Sequence, residues 1–132
     1  MATQTILLVD DEAHITHVMA RAVRAAGFEV VTAEDGEEAY ELAVEHRPAL
    51  VVTDLQMPYM SGIDLAGKML ENAEMRSIPI ILLTARGYVV SEEADKMENI
   101  QMVVEKPFSA KGVLANILEL LGLDASGGSQ AA

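Results

Sequence analysis

The sequence predicts an α/β domain, a parallel sheet of five strands with helices on both of its faces. Three observations carry that expectation. Five short runs rich in Val, Ile and Leu recur along the chain and are nearly continuous rather than alternating, which suits strands buried on both faces. Segments of helical period separate these runs. Strand and helix alternate five times, which implies right-handed βαβ crossovers and therefore a parallel sheet. At 132 residues the chain fits one domain of about 100–200 residues.

The first strand is read at residues 5–9. The helix after it places Ile15, Val18, Met19, Ala22, Val23 and Ala26 on one face and His14, His17, Arg21 and Arg24 on the other, and Gly27 stops it. The second strand, 28–32, leads to a helix over 36–46 that faces inward with Ala39, Leu42 and Ala43. It ends before Pro48, which disfavours helix at the preceding residue. A third strand at 50–53 precedes a helix that starts near Ser61 and uses Ile63, Leu65, Ala66, Met69 and Leu70. After the fourth strand, 78–83, Ser91 can cap a helix over SEEADKM in which only Ala94 and Met97 offer an inward face. The fifth strand is read at 102–104. The last helix has Ser109 as N-cap and Val113, Leu114, Ile117, Leu118 and Leu121 at helical spacing. Residues 1–123 then form the domain, and 124–132, with Ser-Gly-Gly-Ser, a flexible tail or linker.

Composition narrows the classes of function. Half of the chain is hydrophobic (51%), enough for a packed core. Nine basic against 21 acidic residues give a net charge of −12, which repels phosphate backbones and anionic lipid heads, so no direct nucleic-acid or membrane partner is expected. The absence of Cys excludes disulfide frameworks, Cys zinc sites and thiol catalysis, and it fits a reducing compartment. The start MATQTILLVDDE lacks a basic segment, and no stretch approaches the roughly 18 apolar residues of a membrane span, so the cytoplasm is the expected location.

The candidate chemistry lies at the strand ends. Asp10-Asp11 closes the first strand, Asp54 the third and Thr84 the fourth, while Lys106-Pro107 follows the fifth. In a parallel sheet these share the carboxyl edge, where ligands bind. Three carboxylates converging there repel one another unless a hard divalent cation with oxygen ligands joins them, and Mg²⁺ is the usual choice. With that charge taken up, Asp54 can attack a phosphoryl group while Lys106 and the Thr84 hydroxyl hold its oxygens, giving an aspartyl phosphate. Singly, each residue reads as a cap, a turn residue or a solvated charge. Jointly, at the same edge of successive strands, they form a specific constellation.

On these residues the chain resembles the response-regulator receiver domains of two-component signalling over about residues 4–122. The resemblance is carried by LLVDDE, AEDGEEA, TDLQMPYMSG, ILLTA and EKPF, with 30 residues from Asp54 to Thr84 and 22 from Thr84 to Lys106. It implies a doubly wound flavodoxin-like (βα)5 fold with strand order 2-1-3-4-5. It implies Mg²⁺ bound directly by Asp11, Asp54 and the Gln56 carbonyl, with Asp10 acting through water. The Ala85 amide would join Thr84 and Lys106 on the phosphoryl group, and the Lys106–Pro107 bond would be cis. A sensor histidine kinase or phosphotransfer protein would donate the phosphate, and a partner protein would read the changed surface. The only enzymatic activity implied is slow self-phosphorylation from donors and autodephosphorylation.

Two departures concern the output face. Val103 stands where the family usually has Tyr or Phe, and Asn99-Ile100-Gln101-Met102 replaces the usual Gly-Ala-Asp-Asp. Val103 is β-branched, with a stiff χ1 and no ring to swing as Thr84 moves, so the change is expected in the loop from Ala85 to Ser91, hinged at Gly87, together with the weakly apolar helix after it. Gln56 and Arg86, two residues beyond Asp54 and Thr84, are placed to flank the path of hydrolytic water and set the lifetime of the acyl phosphate. Rival readings are a Mg²⁺-dependent phosphohydrolase, which wants a second Asp where Gln56 stands, a pseudo-receiver that works unphosphorylated, and the receiver module of a larger hybrid kinase or multidomain regulator. His14 and His17 read as solvated surface, His46 as a helix-end cation, the six carboxylates of 34–45 as a solubilising face, and the Met residues as mostly inward filler.

Overall fold

The structure is a computed structural model that describes residues 3–85, 97–106 and 108–123. Its elements in chain order are β1 (Thr5–Val9), α1 (Ala13–Ala25), β2 (Glu29–Ala33), α2 (Gly36–His46), β3 (Leu50–Asp54), α3 (Gly62–Leu70), β4 (Ile80–Thr84), β5 (Ile100–Glu105) and α4 (Ala110–Leu120). All the strands are parallel and lie in the order β2-β1-β3-β4-β5, as the resemblance implied. The expected helix from Ser91, the Gly87 hinge, Arg86, the Lys106–Pro107 bond and the tail from residue 124 lie outside the described residues.

The sheet sorts its side chains by the strand period of two. Leu7, Val9, Val51, Ile80 and Leu82 pack under α2 and α3 with Ala39, Ala43, Leu65, Ala66 and Met69. Ile6, Leu8, Leu50, Val52, Ile81 and Leu83 pack under α1 and α4 with Met19, Val23, Val113 and Ile117. The continuous apolar runs mark the interior strands correctly, since β3 and β4 are buried throughout and β1 nearly so. The expectation fails at the edges. β2 is half-exposed, and β5 alternates, with Met102 and Val104 packed on the α1–α4 layer and Gln101, Val103 and Glu105 exposed; both strands stand at an edge of the sheet. Strand limits also move by one or two residues, with β4 beginning at Ile80 and β5 at Ile100.

The last helix keeps its expected cap, with the Gly112 N–H donating to Ser109 Oγ at 2.9 Å. α3 opens with a capping box in which Ser61 and Asp64 each accept from the other's backbone N–H. The face of α1 is corrected. Its buried stripe is Thr16, Met19, Ala20 and Val23, while Val18 is 51% exposed and Ala26 lies beyond the helix. Thr16 enters the core because its hydroxyl is satisfied by the Ala13 carbonyl at 2.9 Å, so its polarity does not keep it outside. Gly27, at φ 102°, ends the turn after α1 as expected.

Two glycines of α3 differ in what surrounds them. A Cβ on Gly62 would stand 2.7 Å from the Asp54 carbonyl oxygen and 2.8 Å from Leu82 Cδ2, whereas one on Gly67 meets only Met97 Cε at 3.6 Å. Gly62→Ala is therefore expected to lower stability by about 1–3 kcal/mol through overpacking. Gly67→Ala should be neutral or raise stability by up to about 1 kcal/mol through the lower entropy of its unfolded chain. Urea denaturation of both variants checks the contrast.

Candidate functional site

The parallel register brings Asp10, Asp54, Thr84 and Lys106 to one edge of the sheet. Asp10 follows β1 and its N–H donates to the Ala33 carbonyl at 3.1 Å, continuing the ladder with β2 by one residue. Asp54 and Thr84 are the last residues of β3 and β4. Lys106 follows β5 and is tied to β4 by its N–H, which donates to the Thr84 carbonyl at 2.8 Å. Asp10 and Thr84 are fully buried and Asp54 nearly so, Lys106 is half-buried, and Asp11, Gln56 and Ala85 are exposed.

One carboxylate oxygen from each of Asp10, Asp11 and Asp54 lies within 4.8 Å of the other two. Asp10 uses Oδ1 to accept the Glu12 N–H at 2.9 Å, which turns the chain into α1, while its Oδ2 is buried with no hydrogen-bond partner among the described residues. Thr84 Oγ1 is likewise buried and unpartnered. Orphaned buried polar atoms cost free energy and are uncommon in a folded protein, so both point to a ligand with oxygen-seeking chemistry. A cluster of hard carboxylate donors fits Mg²⁺.

The charge balance of the cluster is unfavourable without a cation. Burial raises the pKa of Asp10 from 3.8 to about 6, the Glu12 N–H opposes the rise, and the negative charge of Asp54 adds to it. Asp54 is raised too, first by burial, with the Lys106 ammonium and the Gln56 backbone N–H acting in the opposite direction. Beside the cluster a groove of about 540 Å³ runs between Asp11 and the loop after β3, lined by Gln56, Met57, Ser61 and Ile63. Val103, on the edge strand opposite Leu82, is 41% exposed.

Sequence reading passed over Thr53. It is fully buried, and its hydroxyl donates to the Asp54 carbonyl at 3.0 Å. The signal was available as the only polar residue in the run 50–53.

A family model described as the response regulator receiver domain matches residues 6–118. The chain is 36% identical over 99% of its length to the phosphate regulon transcriptional regulatory protein PhoB of Pseudomonas aeruginosa, of which the match covers 57%. It is 38% identical over 88% of its length to the transcriptional regulatory protein SrrA of Staphylococcus aureus, covering 47% of that protein. The chain thus spans about half the length of these curated relatives. Its fold superposes with a TM-score of 0.80 and 25% identity, over 92% of this chain and 99% of the other, on the receiver domain of the sensor histidine kinase PA1611 of Pseudomonas aeruginosa, crystallised with a magnesium ion coordinated in its active-site cleft.

The raised pKa of Asp10 fixes a pH dependence in metal-free buffer. The folded state holds the proton between the unfolded value of 3.8 and the folded value of about 6, so this residue's contribution to stability falls as pH rises through that window. Relative to wild type, Asp10→Asn should gain stability from pH 4 to pH 6 and level off above it, by about 2 kcal/mol. Denaturant titrations at a series of pH values check this, and a difference independent of pH would contradict it.

Proposed function

We propose, from the premise that the chain belongs to the response regulator receiver domain family, that it is a phosphorylation switch whose acceptor is Asp54. The observation that supports this reading most directly is the cluster of three carboxylates at the carboxyl edge of the sheet, an edge that also carries the Thr84 hydroxyl, buried and without a partner among the described residues. In the proposed reaction an Asp54 oxygen attacks the phosphorus of a phosphohistidine on a sensor kinase or phosphotransfer protein. The P–N bond breaks, and the imidazole leaves with the electron pair and takes up a proton. Lys106 and Thr84, with the Ala85 amide, would receive the phosphoryl oxygens. Water attack on phosphorus later breaks the P–O bond and returns the Asp54 carboxylate and inorganic phosphate.

Asp11, Asp54 and the Gln56 backbone carbonyl would hold Mg²⁺ directly, with Asp10 acting through water. The cation would neutralise the acidic cluster and the incoming phosphoryl charge. Exposed Asp11 is free to reorient toward a cation, whereas one oxygen of Asp10 is committed to the Glu12 N–H. Gln56, which is exposed and lines the groove beside the acceptor, would modulate hydrolysis, a role also proposed for Arg86.

Receivers are generally signalling switches rather than turnover enzymes, and they interact with histidine kinases and effector domains. For this chain the donor kinase and the protein that reads the switch are proposed only as those classes. Domain limits of 1–123, with 124–132 as a tail or linker, are proposed on the same footing. Among the described residues no helix is long and apolar enough to cross a membrane, which is compatible with the proposed cytoplasmic location.

With Mg²⁺ and a small acyl phosphate donor, intact-mass measurement is expected to show one added phosphate on wild type and none on Asp54→Asn. An adduct that survives the substitution would sink the assignment. In calorimetric Mg²⁺ titration Asp11→Ala should weaken binding more than Asp10→Ala. Gln56→Ala should change the rate at which the phosphorylated protein loses its adduct, and an unchanged rate removes Gln56 from that role.

A further inference from the structure

We propose that the Thr53 hydroxyl is a positioning group that sets the backbone around Gln56 for the cation, an inference that rests on the Mg²⁺ reading above. Thr53 is fully buried on the face of β3 opposite Asp54. Its Oγ1 donates to the carbonyl oxygen of Asp54 at 3.0 Å and lies 3.8 Å from Met57 Sδ. One hydroxyl proton thus faces two acceptors that bracket Leu55 and Gln56. Leu55 itself is fixed on both sides, its N–H donating to the Leu83 carbonyl and its carbonyl accepting from the Gly62 N–H, each at 2.9 Å. Gln56 is exposed, and its backbone amide reaches back to the Asp54 carboxylate.

The Asp54 carbonyl is walled in. A Cβ at Gly62 would stand 2.7 Å from its oxygen and 3.2 Å from Thr53 Cγ2, so the start of α3 closes over the bond between them. A buried acceptor stripped of its donor carries a desolvation penalty, which rotation of the 54–55 peptide relieves by turning toward another partner. That rotation would displace the Gln56 carbonyl and amide together. Shape alone does not demand threonine here. Valine has the same outline, and the residues before it in the strand are Val51 and Val52.

The test compares Thr53→Val, which deletes the hydroxyl at nearly constant shape, with Thr53→Ser, which restores it. Mg²⁺ binding is followed by calorimetry and the Gln56 amide by NMR. Thr53→Val is expected to weaken Mg²⁺ binding about tenfold, as loss of support behind a metal ligand typically does. It should also move the Gln56 amide resonance in metal-free protein, while Thr53→Ser stays within about twofold of wild type. Unchanged Mg²⁺ affinity in Thr53→Val overturns the proposal, and so does equal weakening in Thr53→Ser, which would assign the effect to the lost methyl. Wild type supplies a measurement that needs no variant to fold. The buried Thr53 hydroxyl proton should exchange slowly enough to be observed, with a cross-peak to the Met57 methyl, and its absence from a fully assigned spectrum also overturns the proposal. A wild type that takes up phosphate on Asp54 with unaltered affinity in Thr53→Val refutes the role of Thr53 alone, whereas a wild type that binds no Mg²⁺ refutes the functional reading beneath it.

Discussion

Burial of the Asp10 and Asp54 carboxylates close together, beside Asp11, is the constraint around which the rest of the molecule is arranged. The parallel register forces the ends of β1 and β3 side by side, and burial strips water from Asp10 and Asp54 while Asp11 stays exposed. The fold therefore carries a local cost that its two hydrophobic layers must offset. Those layers are dense where it matters, because β3 and β4, buried over their whole length, deliver Asp54 and Thr84. Positive charge enters from the next strand, where the Lys106 backbone is pinned to Thr84.

The same loops that carry the acidic residues also start the helices, so the electrostatics of the cluster are linked to the packing of α1 and α3. Asp10 helps to turn the chain toward α1 through the Glu12 N–H. The loop after β3 is gripped from β4 through Leu83, from α3 through Gly62 and from β3 through Thr53. A second polar tie lies deeper, where Asn99 Nδ2, just before β5, donates to the Ala66 carbonyl of α3 at 3.0 Å. The site is thus braced on the α2–α3 side of the sheet by hydrogen bonds to backbone carbonyls, whereas its opening beside Asp11 and Gln56 is exposed.

The edge strand β5 has a different character. Gln101, Val103 and Glu105 point outward between half-buried Met102 and Val104, so a change at Thr84, which pairs with Glu105, has an exposed strand directly beside it. Val103 offers that strand a small branched side chain in place of an aromatic ring. Whatever surface change accompanies occupation of the site must be expressed without a large side chain exchanging buried and exposed positions at 103.

The sequence by itself determined the fold class, the parallel interior strands, the cap at Ser109 and the residues at the strand ends. These are local signals, read from apolar runs, helical periods and residue types at fixed points of punctuation, and the family motifs are written in the same residues. Only the tertiary structure decided how far the edge strands are exposed, since the family resemblance implied the strand order but the apolar residues of β2 and β5 do not announce which of them lie uncovered. It also decided the core face of α1, where Thr16 is inside and Val18 outside, because a hydroxyl satisfied by its own helix loses most of its preference for water. The convergence of three carboxylates to within 4.8 Å, the orphaned oxygens of Asp10 and Thr84, and the bond from Thr53 to the Asp54 carbonyl are likewise products of packing. Each depends on distances between segments far apart in the chain or on which way a buried polar group turns, and neither is encoded in the pattern of any one segment.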